Sequence, residues 1–185
     1  GLDLRLPVFR CFRRLWENDS EGRPLLAMLC ACARDPLLRM SSPVILNVPI
    51  GAVVTATALA EAIRAEAPDR FKPGTLKSIG QNLYASWTQS GHLTGNKVRK
   101  RTRPVVTPEA TAYALVLGRL CRARGPLLFR TFWTVLLDPV EELFGLAVAA
   151  SQRGWINLKR AGSVVEVGFS KLLTPEEEEV LRELH

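Results

Sequence analysis

Apolar residues recur along this chain at helical and strand-like spacings, and the changes between the two mark its elements. Residues 6–16 set Val8, Phe9, Phe12, Leu15 and Trp16 against Arg10, Arg13 and Arg14, the period of an amphipathic helix with arginines on its outer face. Asn18, Asp19 and Ser20 supply capping oxygens, and Pro24 suits the first turn of a second helix through Leu25, Leu26, Met28, Leu29 and Ala33. Pro36 is expected to kink or end that helix. Residues 43–54 are rich in β-branched side chains and broken by Pro43, Pro49 and Gly51, which favours short extended segments over helix, with 52–54 the candidate strand. Thr55 or Thr57 then caps a helix that carries Leu59, Ala60 and Ile63 and stops near Pro68.

Residues 73–90 place Leu76, Ile79, Leu83 and Trp87 on one stripe, with Gly80 and Tyr84 alongside. The opposite face carries Lys77, Ser78, Gln81, Asn82, Thr88 and Gln89, and Gly91 closes the helix. After it come an apolar run at 92–94, a turn at Gly95 and Asn96, a basic stretch at 97–103, and a β-prone pair, Val105 and Val106: a predicted hairpin with a charged tip. Thr107, Pro108 and Glu109 are an N-cap, a first-turn proline and an acidic first-turn residue, opening a helix through Tyr113, Leu117 and Leu120. The final third repeats this order, with apolar helices near 127–137 and 139–152, a hairpin built from 155–158, 159–162 and 164–169, and a short acidic helix opened by Thr174, Pro175 and Glu176.

The predicted fold class is therefore mainly α with small β-hairpins, as a winged helix-turn-helix with two winged units in tandem. Residues 1–42 are expected as helices packing on the first unit, 43–106 as the winged helix-turn-helix with a basic wing, and 107–185 as a second helical unit read as winged from its element order. A chain of 185 residues, 47% hydrophobic and 23% charged, can bury a core without disulfides or metals.

Charge sharpens this picture. The 25 Lys and Arg against 18 Asp and Glu give a net +7, which makes polyanions the natural partners. Between Asp69 and Glu109 there is no acidic residue, yet Arg70, Lys72, Lys77, Lys97, Arg99, Lys100, Arg101 and Arg103 all fall there. A basic hairpin beside a hydrogen-bonding helix face provides both parts of a DNA reader, charge for phosphates and amides or hydroxyls for base edges. The candidate DNA-binding residues are accordingly Lys72, Thr75, Lys77, Ser78, Gln81 and Asn82 on the helix and Lys97, Arg99, Lys100, Arg101 and Arg103 on the hairpin.

Other chemistries find no matching pattern. His92 and His185 are the only histidines, and there is no CxxC or paired His and carboxylate spacing, so no metal site is expected. Motifs of the GxSxG, HExxH and phosphate-cradling GxxxxGK[ST] types are absent, which points away from an enzyme and from a cofactor. Trp87, Trp133 and Trp155 fall at positions that suit core anchors better than stacking platforms for bases. Cys11, Cys30, Cys32 and Cys121 lack the spacing of a disulfide framework, and charges interrupt every apolar run before it reaches a membrane-spanning length, so a reducing cytoplasm without membrane insertion is expected.

The succession Thr75-Leu76-Lys77, Asn82, Ser86-Trp87 and Gly91-His92-Leu93, followed after Pro104 by a helical region, resembles the BrxA family of bacterial phage-defence (BREX) systems. That resemblance implies a small basic helical protein with winged elements, DNA binding, and other defence proteins as partners. It carries over no individual site residue. The leading expectation is a non-catalytic double-stranded DNA-binding protein. The alternative is a scaffold whose winged domains dock proteins and whose apolar helices after Thr107 form a homo-oligomer surface, and RNA binding is a third reading.

Overall fold

The computed structural model describes residues 3–138, 142–162 and 164–183. Its elements are α1 (Pro7–Asn18), α2 (Arg23–Arg34), α3 (Pro36–Leu46), β1 (Val53–Val54), α4 (Ala56–Glu66), α5 (Pro73–Gln89), β2 (Leu93–Thr94), β3 (Arg99–Arg101), α6 (Pro108–Leu120), a 3-10 segment (Gly125–Arg130), α7 (Phe132–Val135), α8 (Leu143–Gln152), β4 (Asn157–Ala161), β5 (Val164–Gly168) and α9 (Pro175–Glu183). The fold is mainly α with two small antiparallel sheets. It divides into two compact units, Ala31–Pro104 and the described residues on either side of it. Within the second of these, α1 packs on α6.

Proline punctuates the chain as its chemistry dictates. Asp35 ends α2 and caps α3, its carboxylate accepting from the Leu37 N–H at 2.8 Å, while Pro36 takes the first turn. Pro43, expected to start an extended segment, lies inside α3. A proline there removes the N–H that would bond the Arg39 carbonyl, and the Ser42 hydroxyl donates to that carbonyl instead, at 2.8 Å. The lost donor is replaced one residue away, so the helix continues.

In the central unit, Thr55 caps α4 by accepting from the Ala58 N–H at 3.1 Å. The packing of α4 on α5 is close because Gly80 has no side chain: a Cβ there would stand 2.4 Å from the Ala56 carbonyl oxygen and 2.9 Å from the Ala60 methyl. Leu38, Ile45, Leu59, Ile63, Leu83 and Trp87 fill the core, and the Trp87 indole N–H donates to Ser41 at 2.9 Å. His92 is buried edge-on to Trp87 with its Nδ1 2.8 Å from the Ser90 hydroxyl, a structural role. Replacing Gly80 with Ala would gain about 1 kcal/mol of helix propensity but forces a carbon into a backbone oxygen, a strain of about 3 kcal/mol. We expect Gly80→Ala to lower urea-unfolding stability by about 2 kcal/mol; an unchanged or raised midpoint would contradict this packing.

β3 is the middle strand of the first sheet, in the order β1-β3-β2, with Leu93 opposite Arg101, Thr94 and Val53 opposite Lys100, and Val54 opposite Arg99. The hairpin's second strand was expected at Val105 and Val106, but the basic run itself forms it. Gly95, at φ +118, makes the turn, its Cα so close to the Val98 carbonyl that a Cβ would collide with it.

The other unit is organised around α6, buried from Glu109 to Arg119. Thr107 caps it, accepting from the Ala110 N–H at 3.1 Å and donating to Asp19 at 2.5 Å. The buried Glu109 accepts from Arg153 at 2.7 Å and from the half-buried Trp155 indole at 2.9 Å. Trp133 is buried as expected of an anchor. The expected helix from Pro139 begins outside the described residues and is seen as α8; Glu141 and His185 also lie outside them. β4 and β5 pair over five positions, from Asn157 opposite Gly168 to Ala161 opposite Val164. Thr174 and Glu177 cap α9 reciprocally, at 3.3 Å and 2.9 Å.

Candidate nucleic-acid interface

All the candidate residues fall in the unit Ala31–Pro104. That unit holds 11 Lys and Arg against four Asp and Glu, a net +7 that equals the charge of the whole chain, so the remainder is neutral. The net positive charge belongs to one unit.

Its first component is α5. Lys72 precedes the helix and Pro73 takes its first turn, with no acidic residue in that turn to occupy the backbone N–H groups. Thr75, Lys77, Ser78, Gln81 and Asn82 are all exposed, as is Gln89, while Gly80, Leu83 and Trp87 face inward. The Ser78 and Ser86 hydroxyls donate back to the Gly74 and Asn82 carbonyls, at 3.2 Å and 3.0 Å. The side-chain amides of Gln81, Asn82 and Gln89 and the Thr75 hydroxyl remain as exposed hydrogen-bonding groups on this helix.

The second component is the hairpin. Alternation along β3 divides its three basic residues between two faces. Lys100 points outward in a row with exposed Thr94 and Val53, whereas Arg99 is half-buried and Arg101 is 2% exposed. Lys97 in the turn and Arg103 after the strand are exposed. Among the described residues, Lys72, Lys77, Lys97, Lys100 and Arg103 form no ion pair.

Arg101 corrects the sequence expectation. Its Nε donates to the Ile45 carbonyl at 2.9 Å and its Nη1 to the His92 carbonyl at 3.2 Å and to the Thr102 carbonyl. A guanidinium so enclosed and engaged holds the end of α3 to the sheet and does not reach the surface.

Arg99 has a different task, which sequence reasoning missed. Its guanidinium lies over the Tyr84 ring with Cζ 4.4 Å from the centroid, and its Nη1 donates to the Tyr84 carbonyl at 3.1 Å and the Thr88 hydroxyl at 2.7 Å. Its backbone N–H donates to the Tyr84 hydroxyl at 3.2 Å. Lys77, Gln81, Tyr84 and Thr88 follow one another at steps of four, three and four, so they share one ridge of α5. Arg99 therefore moors the hairpin along the flank that also carries Lys77 and Gln81, beside the exposed polar face. The signal available in sequence was the strand parity that pairs Arg99 with Arg101 and separates both from Lys100.

No group of three or more His, Cys, Asp or Glu is placed to hold a metal ion among the described residues. Burial pushes the Cys11 and Cys32 thiols up to about 12, which keeps them protonated and unreactive near neutral pH. No helix among the described residues is long and apolar enough to cross a membrane. No protein-family model, curated protein or solved structure matches this chain.

Proposed function

We propose that the unit Ala31–Pro104 is a winged helix-turn-helix and that the protein binds double-stranded DNA without catalysing a reaction on it. In this reading α4 braces the backbone, α5 enters the major groove, and the β2–β3 hairpin is the wing lying on phosphate or at a minor groove. The observation that carries it is the mooring of the cationic hairpin, through Arg99, Tyr84 and Thr88, to the flank of the helix whose outer face is Gln81 and Asn82. The element order α3-β1-α4-α5-β2-β3, with β3 central, favours the same reading.

The reading is confined to this unit. The β4–β5 hairpin follows helices in the same order, but its sheet has two strands, without a counterpart of β1 among the described residues. The resemblance to the BrxA family extends the proposal to a role as accessory factor in phage defence, alongside other defence proteins.

The test is a titration of random-sequence duplex against salt. Contacts from Lys72, Lys77, Lys97, Lys100 and Arg103 correspond to a slope of log K on log salt of about −4 to −5. A slope near zero would overturn the proposal. Because Gln81 and Asn82 supply hydrogen bonds and no charge, replacing either with Ala is expected to reduce discrimination between preferred and random sites by about 1–3 kcal/mol while leaving the slope unchanged. Equal weakening on every sequence would place these amides outside the base-reading surface.

A further inference from the structure

The neutral unit contains a cavity of about 480 Å³ bounded by the end of α6, the 3-10 segment, β5 and α9. Volumes of this size hold small organic ligands. Two of its walls are arginines whose hydrogen bonding is incomplete. Arg119, in the last turn of α6, is 6% exposed; its Nη2 stands 3.6 Å from the Glu178 carboxylate, and its buried Nη1 meets no acceptor among the described residues. Arg124 caps the end of α9, its Nη2 donating to the Leu181 and Arg182 carbonyls at 2.5 Å and 3.3 Å, and its buried Nε likewise meets no acceptor.

The chain is bent to bring these groups together. α6 ends with the Ala123 N–H on the Gly118 carbonyl at 3.0 Å and the Arg122 N–H on the Arg119 carbonyl at 2.8 Å, a left-handed cap with Arg122 at φ +68. That reversal returns Arg124 to the mouth of the same cavity as Arg119. Desolvation lowers the Arg119 pKa, and Arg124 and Arg182 repel it, yet a guanidinium stays charged near neutral pH. Three arginines line the cavity against two carboxylates, Glu166 and Glu178, and Glu178 is already engaged by Arg119 and by the Phe169 N–H at 3.2 Å. Both unpartnered N–H groups are closed off from solvent, so an anionic oxygen in the cavity would be held by the charge of the two guanidiniums and by the parts of them that line it. The remaining wall, formed by Leu128, Val165 and Leu173, is hydrocarbon.

We propose that this cavity binds a small organic oxyanion, a carboxylate or phosphate ester, whose oxygens accept from Arg119 and Arg124 while its apolar part lies against Leu128, Val165 and Leu173. The site is separate from the DNA-binding reading and stands without it. Nucleic-acid phosphate is the other source of the same chemistry, but the near-complete burial of Arg119 suits a ligand that enters the cavity over a duplex that stays outside.

Calorimetric titration of the full chain with phenyl phosphate, benzoate and inorganic phosphate tests it. Saturable binding of phenyl phosphate or benzoate with Kd below about 1 mM is expected, with inorganic phosphate at least about fivefold weaker for want of the apolar part. Arg119→Lys keeps the charge but loses the forked donor, and should weaken binding by about tenfold or more. Arg182→Gln alters an exposed residue at the rim and should weaken it several-fold even where Arg119→Lys compromises folding. Absence of saturation by both organic probes, inorganic phosphate binding as tightly as they do, affinity unchanged in a folded Arg119→Lys or in Arg182→Gln, or displacement of phenyl phosphate by duplex DNA would each overturn the proposal.

Discussion

Replacing Lys97, Lys100 and Arg103 together with Gln is expected to weaken binding to duplex DNA of any sequence by about 100-fold at moderate salt and to reduce the salt slope by about 2.7. The three side chains are exposed and form no ion pair among the described residues, so each is available to a phosphate and each contact releases about 0.9 of a counterion. At roughly 1 kcal/mol per charge-assisted contact, three contacts are worth about two decades of affinity. Because the replaced groups hold no other part of the fold, the thermal midpoint should stay within a few degrees of the parent. Fluorescence anisotropy on two unrelated duplexes, each at several salt concentrations, separates the possibilities. A loss confined to one duplex would assign these residues to base recognition, and an unaltered slope would remove the hairpin from the interface.

The helices were largely legible because apolar spacing and capping chemistry agree locally: α1 falls where periodicity predicts it, and α2, α4, α5 and α6 fall where periodicity and the Thr or Pro at their starts do. Pro43 misled because propensity treats proline as a breaker, whereas the hydroxyl of Ser42 replaces the missing donor within the same turn. The hairpin misled differently. β-propensity favoured Val105 and Val106 as its second strand, but pairing with β1 as well as β2 places Arg99, Lys100 and Arg101 in the sheet. That exchange changes the candidate site, since a run of five basic residues among seven positions looks uniform in sequence and strand alternation sorts it into outward and inward members. Lys100 is available to a ligand, while Arg99 and Arg101 are fastened to the protein by partners distant in sequence: Tyr84 and Thr88 for one, Ile45 and His92 for the other. No local pattern reveals such partners.

Arg101→Met should therefore act on stability and leave recognition almost untouched. Methionine reproduces much of the arginine stem but none of its donors, so the Ile45 carbonyl, in the last turn of α3, loses the Nε–H that reaches it at 2.9 Å. The His92 carbonyl keeps a second donor, the Thr102 N–H at 2.9 Å, so its loss is the smaller one. Removing a buried cation that bonds several carbonyls costs about 3 kcal/mol, enough to lower the midpoint of a unit this size by roughly 10 to 20 °C. The neighbouring Lys100→Met, on an exposed side chain, should change stability by no more than about 0.5 kcal/mol. Binding should reverse the order: the folded fraction of Arg101→Met keeps the parental salt slope, whereas Lys100→Met loses about 0.9 of it. Urea unfolding and salt-dependent titration of the two variants side by side make the comparison. Should Arg101→Met retain the parental unfolding midpoint and lose slope, the arginine would be a phosphate ligand after all, and the inward face of β3 would have to open when DNA binds.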